Sequence, residues 1–170
     1  MTYASNQGWI DSWSVRYGDQ FEFIKADIND LDRLHDCDYI INTAAETHVD
    51  NSIANSDVFV RSNIDGVHHL LKLIKNNHKF KMPTLLHFST DEVYGDIVDG
   101  AHIETDMLKP SNPYSATKAS AEMLVMSYSR TYGLNYIITR SSNNYGERQY
   151  EEKLIPKSIS YLKTGKKIPL

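Results

Sequence analysis

The chain has 170 residues and a formal net charge of −4, with acids and bases interspersed rather than gathered in blocks. That length fits one domain with a real core or part of a larger one, and that charge gives no electrostatic case for a nucleic-acid or anionic-membrane partner. No apolar run approaches the roughly 20 residues that span a bilayer, no signal-peptide pattern opens the chain, and the single cysteine, Cys37, excludes an internal disulfide framework and suits a reducing compartment, so a soluble cytoplasmic protein is expected.

Taken in chain order, FEFIKADI (21–28) alternates and is rich in β-formers, which predicts a strand. A short helix is expected over 30–36. YIINTAAE (39–46) is an apolar run ending in small and polar residues and reads as the next strand. Residues 56–77 carry Val58, Phe59, Ile64, Val67, Leu70, Leu71 and Ile74 as an amphipathic stripe, with Ser56 as the N-cap. TLLHFST (84–90) predicts another strand. A helix is expected over 113–132, with Pro113 in its first turn and Gly133 at its stop. NYIITRSS (135–142) and a helix over 152–163, ahead of Gly165, complete the pattern. Strands alternating with helices predict an α/β fold with a mainly parallel, doubly wound sheet. The seven histidines lack metal-ligand spacing; His68 and His69, for example, point about 100° apart on a helix. No metal site is expected.

Ligands in such a sheet bind beyond the carboxyl ends of the strands. The expected ends are Asp27-Ile28, Ala44-Ala45-Glu46-Thr47-His48, Ser89-Thr90-Asp91-Glu92 and Ser141-Ser142-Asn143-Asn144, all small or polar apart from Ile28. They should share one edge. PYSATK sets Tyr114 and Lys118 one turn apart on a single helix face. Alone, that pair is equally a surface aromatic–lysine contact. With Thr90 at a strand end upstream it becomes a redox trio: Tyr114 takes a hydroxyl proton, Lys118 favours the phenolate and can hold a ribose, and Thr90 orients the oxygen.

With these residues in view, the chain resembles the extended short-chain dehydrogenase/reductases, and within them the nucleotide-sugar 4,6-dehydratases of the dTDP-glucose or UDP-glucose type. The resemblance runs through TYASN, KADIND, NTAAETHVDNSI, SNIDGVHHLL, HFSTDEVYGD, NPYSATKASAE and RSSNNYGERQYEEKLIPK. Its most specific piece is Thr90-Asp91-Glu92, because epimerases of the superfamily usually lack the acid pair. It implies oxidation at C4 by NAD with Tyr114 as base, removal of the C5 hydrogen by Glu92, protonation of the departing 6-hydroxyl by Asp91, and hydride return to C6. Two close carboxylates resist ionising together, which suits one acid and one base. Neighbouring strand residues point to opposite faces, so both acids reach one substrate only if the strand ends near Thr90.

Further roles follow from the resemblance position by position. Thr2, Asp27, Ile28, Ala44, Ala45, Thr47 and Ser62 match cofactor-contacting positions, together with Tyr114 and Lys118. Ser62 stands where a threonine is usual. His48, Thr90, Asn143, Glu152, Lys153 and Leu154 match substrate-side positions, and Asn63 is expected to brace the sheet from its helix. Glu147 and Arg148 replace the family's usual proline and aromatic, which bears on that loop's conformation. The family's first strand and GxxGxxG turn would precede residue 1, so the expected fold is a partial Rossmann-type sheet without its Gly-rich turn. Residues 1–151 then form an incomplete NAD-binding domain with the catalytic residues, and 152–170 begin the substrate-binding region. The helices over 56–77 and 113–132 match the family's dimer interface, implying a homodimer. Within the superfamily a 4-epimerase or decarboxylase is the alternative; outside catalysis, the alternative is a fragment that binds nucleotide sugar without turning it over.

Overall fold

The computed structural model describes residues 6–77 and 81–168. Thr2, expected to touch cofactor, lies outside them. The chain forms two compact units, Met1–Lys25 with Asn143–Leu170 and Ala26–Ser142.

In the first unit, α1 (Gln7–Tyr17) starts where the Asn6 side chain accepts from the Gly8 N–H at 2.9 Å. The sequence reading did not anticipate this helix. It buries none of its residues, so no apolar stripe announces it. The expected C-terminal helix is α6 (Leu154–Lys163). In the preceding loop Arg148 takes a left-handed φ of 74°, and its guanidinium stacks over Trp9, 3.1 Å from the ring centroid.

The second unit is built on a three-stranded sheet in the order β1-β2-β3, with β1 (Tyr39–Asn42), β2 (Thr84–Thr90) and β3 (Tyr136–Ser141). Both pairings are parallel, from Tyr39↔Thr84 to Asn42↔His87 and from Leu85↔Tyr136 to Thr90↔Ser141. All three strands therefore finish on one edge, as a parallel α/β sheet requires. The segment 21–28 does not join them. It straddles the division between the units, and β-type alternation makes a strand only where a hydrogen-bonded partner exists.

Helical structure from Asp57 to Asn77 runs as α3 (Asp57–Phe59), a π-type turn (Val60–Asp65) and α4 (Gly66–Asn77). Ser56 does not cap it. Its φ and ψ are already helical, and Asn55, which is extended, accepts from the Asp57 N–H at 3.0 Å instead. The wide turn reduces the drift of an i+4 spacing, so Phe59, Asn63 and Val67 all point inward, each about 1% exposed. The helix expected over 30–36 is reduced to a 3₁₀ turn, Ile28–Asp30, capped by Asp27. A segment so short and so rich in aspartate does not hold a helix alone; His69 Nε2 pins it through the Leu31 carbonyl at 2.6 Å. Between β1 and α3 lies the unanticipated α2 (Val49–Ala54).

The last helix of this unit, α5 (Pro113–Tyr132), has the expected bounds. Asn112 and Ser115 form a capping box, Pro113 starts the first turn, and Gly133 closes it at φ 76°. The core joins Val67, Leu70, Leu71 and Ile74 of α4 to Leu85 of β2, Ala121 and Val125 of α5, and Leu134. Each fully buried large aliphatic contributes about 1.5–3 kcal/mol. On the opposite face of the sheet Tyr39, Ile41 and Ile137 are exposed.

Candidate active site

At the carboxyl end of β2 the chain leaves extended geometry at Thr90 (φ −143°, ψ 151°) and enters a 3₁₀ turn, Asp91–Tyr94. Thr90 Oγ1 accepts from the Glu92 N–H at 3.3 Å, capping the turn, and donates to Asp91 Oδ1 at 3.2 Å. The condition set by strand geometry is thus met, because the acids sit on a turn rather than on alternate strand faces. Val93 and Tyr94 anchor the turn in the interior. Gly95 closes it at φ 84°, packed so tightly that a Cβ there would strike the Lys109 carbonyl. Asp91 and Glu92 line a cleft of about 720 Å³ shared with Tyr94, His102, Glu104 and Arg140.

The capping box brings the start of α5 to the same place. Tyr114 is 7% exposed. Its N–H donates to Ser52 Oγ at 3.1 Å, and its carbonyl accepts from Thr117 Oγ1 at 2.7 Å. Its ring meets Phe59 edge-on, with centroids 6.4 Å apart. Burial pushes the phenol above its usual range, a hydrogen bond with Thr90 draws it down, and the Glu92 and Asp91 carboxylates add to the rise. Lys118, one turn further along α5, is 4% exposed, and its ammonium donates to the Phe88 carbonyl at 2.6 Å. Burial lowers it to about 8, with Glu122 opposing.

Buried polar groups underlie this arrangement, and of these only Asn63 was singled out in the sequence. Asn42 Oδ1 accepts from the Ala44 N–H at 3.2 Å, which turns its Nδ2 toward His87 Nδ1 at 3.1 Å. An amide nitrogen only donates, so the neutral ring carries its proton on Nε2. Burial first, and Lys118 second, hold His87 down to about 3. Asn63 braces the loop after β1 rather than a strand. Its Oδ1 accepts from the Glu46 N–H at 2.9 Å, and its Nδ2 donates to the Glu46 carbonyl and to Thr117 Oγ1, both at 3.0 Å. Fully buried Glu122 pairs with Arg140 through Nη2 at 2.7 Å, and Arg140 Nη1 donates to Tyr94 Oη at 2.6 Å.

The remaining expected residues divide between the two units. Ala44 and Thr47 are exposed and Ala45 is half-buried beyond the end of β1, while Ser62 is half-buried in the π-type turn. Asp27 sits beside Asn29, whose backbone and side-chain hydrogen bonds hold its carboxyl below the usual range; Ile28 opens the 3₁₀ turn. His48 precedes α2 without capping it, and among the described residues its buried Nδ1 has no partner. Asn143, Glu152, Lys153 and Leu154 belong to the other unit. Asn143 is exposed, Lys153 lies at the N-cap of α6, and Leu154 is its first residue. Small side chains at the end of β1, an ionised Asp27 and a buried ammonium at β2 fit a dinucleotide laid across the strand ends.

The family model described as GDP-mannose 4,6 dehydratase matches residues 1–170. A trifunctional UDP-glucose 4,6-dehydratase/UDP-4-keto-6-deoxy-D-glucose 3,5-epimerase/UDP-4-keto-L-rhamnose-reductase of Arabidopsis thaliana is 46% identical over 159 residues, covering 88% of this chain and 24% of that protein. A dTDP-glucose 4,6-dehydratase from Streptomyces venezuelae, solved with NAD bound, superposes with a TM-score of 0.91 at 38% identity, covering 100% of this chain and 52% of that one. A UDP-glucuronic acid 4-epimerase from Bacillus cereus, solved with UDP-glucuronic acid and NAD, gives 0.86 at 30% identity over 95% of this chain and 51% of that one. The chain spans about half the length of the two solved relatives and about a quarter of the plant protein. With a match over its full length and a parallel Rossmann-type sheet ending in Thr90-Asp91-Glu92, the chain belongs to the GDP-mannose 4,6-dehydratase family of extended short-chain dehydrogenase/reductases.

Proposed function

We propose that this chain carries the catalytic core of a nucleotide-sugar 4,6-dehydratase acting on dTDP-glucose or UDP-glucose. The observation that carries the reading is the end of β2, where Thr90 joins Tyr114 while Asp91 and Glu92 line one cleft. When bound, NAD supplies the hydride acceptor for C4 and the donor for C6. Ala44, Ala45, Thr47, Ser62, Asp27, Ile28 and Lys118 are the residues that would hold it, and Thr2 joins them by resemblance.

Tyr114 accepts the 4-hydroxyl proton, and Thr90 orients that oxygen. The 4-ketone acidifies the C5 hydrogen, which Glu92 removes. Asp91 gives its proton to the 6-hydroxyl, which leaves as water; the electron pair released at C5 forms the C5–C6 double bond as the C6–O bond breaks. Hydride return to C6 and a proton to C5 complete the 4-keto-6-deoxy sugar. The acid pair favours dehydration over epimerisation, which needs only the tyrosine, lysine and hydroxyl.

His48, Asn143, Glu152, Lys153 and Leu154 are proposed as substrate contacts on resemblance, with residues 1–151 in the nucleotide-binding domain and 152–170 opening the substrate region. A homodimer through 56–77 and 113–132 is supported by exposed Val58, Val60, Met123 and Tyr132 on these helices, and light scattering tests it. A cytoplasmic setting is supported by the lone cysteine; no described helix is long and apolar enough to cross a membrane. The decisive experiment incubates the full-length protein with NAD⁺ and each glucose nucleotide. A 4-keto-6-deoxy product is expected; a C4 epimer instead overturns the dehydratase reading.

A further inference from the structure

Asn112 does two jobs at once with one carboxamide. Its Oδ1 accepts from the Ser115 N–H at 2.8 Å, capping α5, and its Nδ2 donates to Glu92 Oε2 at 3.2 Å. The first contact settles the orientation of the amide. A backbone N–H can only donate, so oxygen must face Ser115, and the nitrogen is left facing Glu92. Its own backbone N–H is fixed as well, donating to Ser115 Oγ at 3.2 Å. The side chain therefore has little freedom to turn away.

The two acids consequently have unlike partners. Asp91 meets the Thr90 hydroxyl, which can donate to a carboxylate or accept from a carboxylic acid. Glu92 meets an amide nitrogen, which can only donate, so Oε2 must be an acceptor there. A carboxylate satisfies that contact on either oxygen; a carboxylic acid satisfies it only with its proton held away on Oε1. Oε2 of Glu92 is thus fixed as an acceptor, and any proton that Glu92 takes up falls on Oε1.

We propose that Asn112 is a positioning residue for the elimination step: its carboxamide ties Glu92 Oε2 to the cap of the helix bearing Tyr114, leaving Oε1 to take the C5 hydrogen. This rests on the reading of Glu92 as the C5 base. The same residue sets the first turn of α5, so Tyr114 and Glu92 are indexed to one another through a single side chain.

The test uses the full-length holoenzyme with NAD⁺ and whichever glucose nucleotide it turns over. Asn112→Ser keeps a good N-cap but is too short to serve Ser115 and Glu92 together. NADH should appear at the wild-type rate and decay roughly 10-fold or more slowly. The isotope effect from substrate deuterated at C5 should grow, because C5 deprotonation becomes limiting. Asn112→Asp, which also caps, sets a carboxylate against Glu92 and should slow the decay further. A merely structural role would instead lower the unfolding midpoint and slow NADH formation and decay alike. That result overturns the proposal, as does wild-type decay in both variants.

A second readout needs no turnover. In the wild-type protein the Asn112 side-chain amide protons should exchange slowly with solvent, and lose that protection in Glu92→Ala. Unprotected protons in the wild type overturn the contact itself. A wild-type enzyme that forms no NADH overturns the dehydratase reading, and the amide protons then still decide whether Asn112 holds Glu92.

Discussion

Replacing Lys118 by methionine should change how stability depends on pH more than it changes stability at neutrality. The ammonium is lowered from 10.5 to about 8, chiefly by burial. The interval 10.5 − 8 corresponds to about 3 kcal/mol at roughly 1.4 kcal/mol per pH unit. At pH 7 Lys118 is protonated in both folded and unfolded chains, so the folded state bears the whole desolvation cost. Methionine removes that cost but leaves the Phe88 carbonyl without the donor it has at 2.6 Å, and a buried acceptor that loses its partner costs about 1–3 kcal/mol. The methionine variant should therefore lie within about 1–2 kcal/mol of wild type at pH 7. From about pH 8 to pH 10.5 the unfolded chain holds a proton that the folded one does not, and stability rises with pH wherever that is so. Wild type should gain about 2–3 kcal/mol on the variant between pH 7 and pH 10. Urea unfolding followed by circular dichroism measures the difference; tryptophan fluorescence does not serve, because Trp9 and Trp13 both lie in the other unit. Parallel pH curves, or a gap that moves in favour of methionine as pH rises, would refute the reasoning.

Three further outcomes can be checked on the same footing. Gly95→Ala combines a left-handed φ with a collision against the Lys109 carbonyl; it should cost more than about 1 kcal/mol and, by shifting the turn that bears Asp91 and Glu92, lower kcat, measured by thermal melts beside product assays. Ser52→Ala leaves the Tyr114 N–H without its acceptor inside the protein. About 1–3 kcal/mol should be lost, visible as a lower urea midpoint, whereas Ser52→Thr should retain most of it. Glu122→Gln strips the buried partner from Arg140, for a loss of about 3–5 kcal/mol. Because Glu122 is the group that raises Lys118, the same variant should move the Lys118 transition to lower pH in the unfolding series.

The readable parts of this protein are those whose causes are local. Pro113 and Gly133 bracket α5 because a fixed φ suits a first turn and a left-handed residue suits a stop. β2 and its polar exit were legible because Leu85 and Phe88 run directly into Thr90, Asp91 and Glu92. The strand expected over 21–28 failed for a non-local reason, since alternation does not supply a neighbour. The helix expected over 30–36 and the Ser56 cap failed where flanking residues, Asp27 and Asn55, took the capping positions. Within the site, Tyr114, Lys118 and the acids carry chemical signatures of their own. Ser52, His87 and Asn112 do not: each matters through a partner distant in sequence, and a serine or asparagine in such a position looks like any other.

The π-type turn at Val60–Asp65 limits how this scaffold can be improved. Removing one residue would let α3 and α4 merge into a regular helix with better hydrogen bonds, an attractive route to thermostability. Each deleted residue, however, rotates one flank against the other by about 100°. A deletion within 60–62 would swing Phe59 away from Tyr114 or pull Asn63 from Glu46 and Thr117, and one at Ile64 or Asp65 would turn Val67 out of register with both. The irregularity works as a shim, setting the angle between the loop that follows β1 and the helix that presents the tyrosine. Lengthening an exposed loop costs little; changing the residue count through this turn should not be cheap.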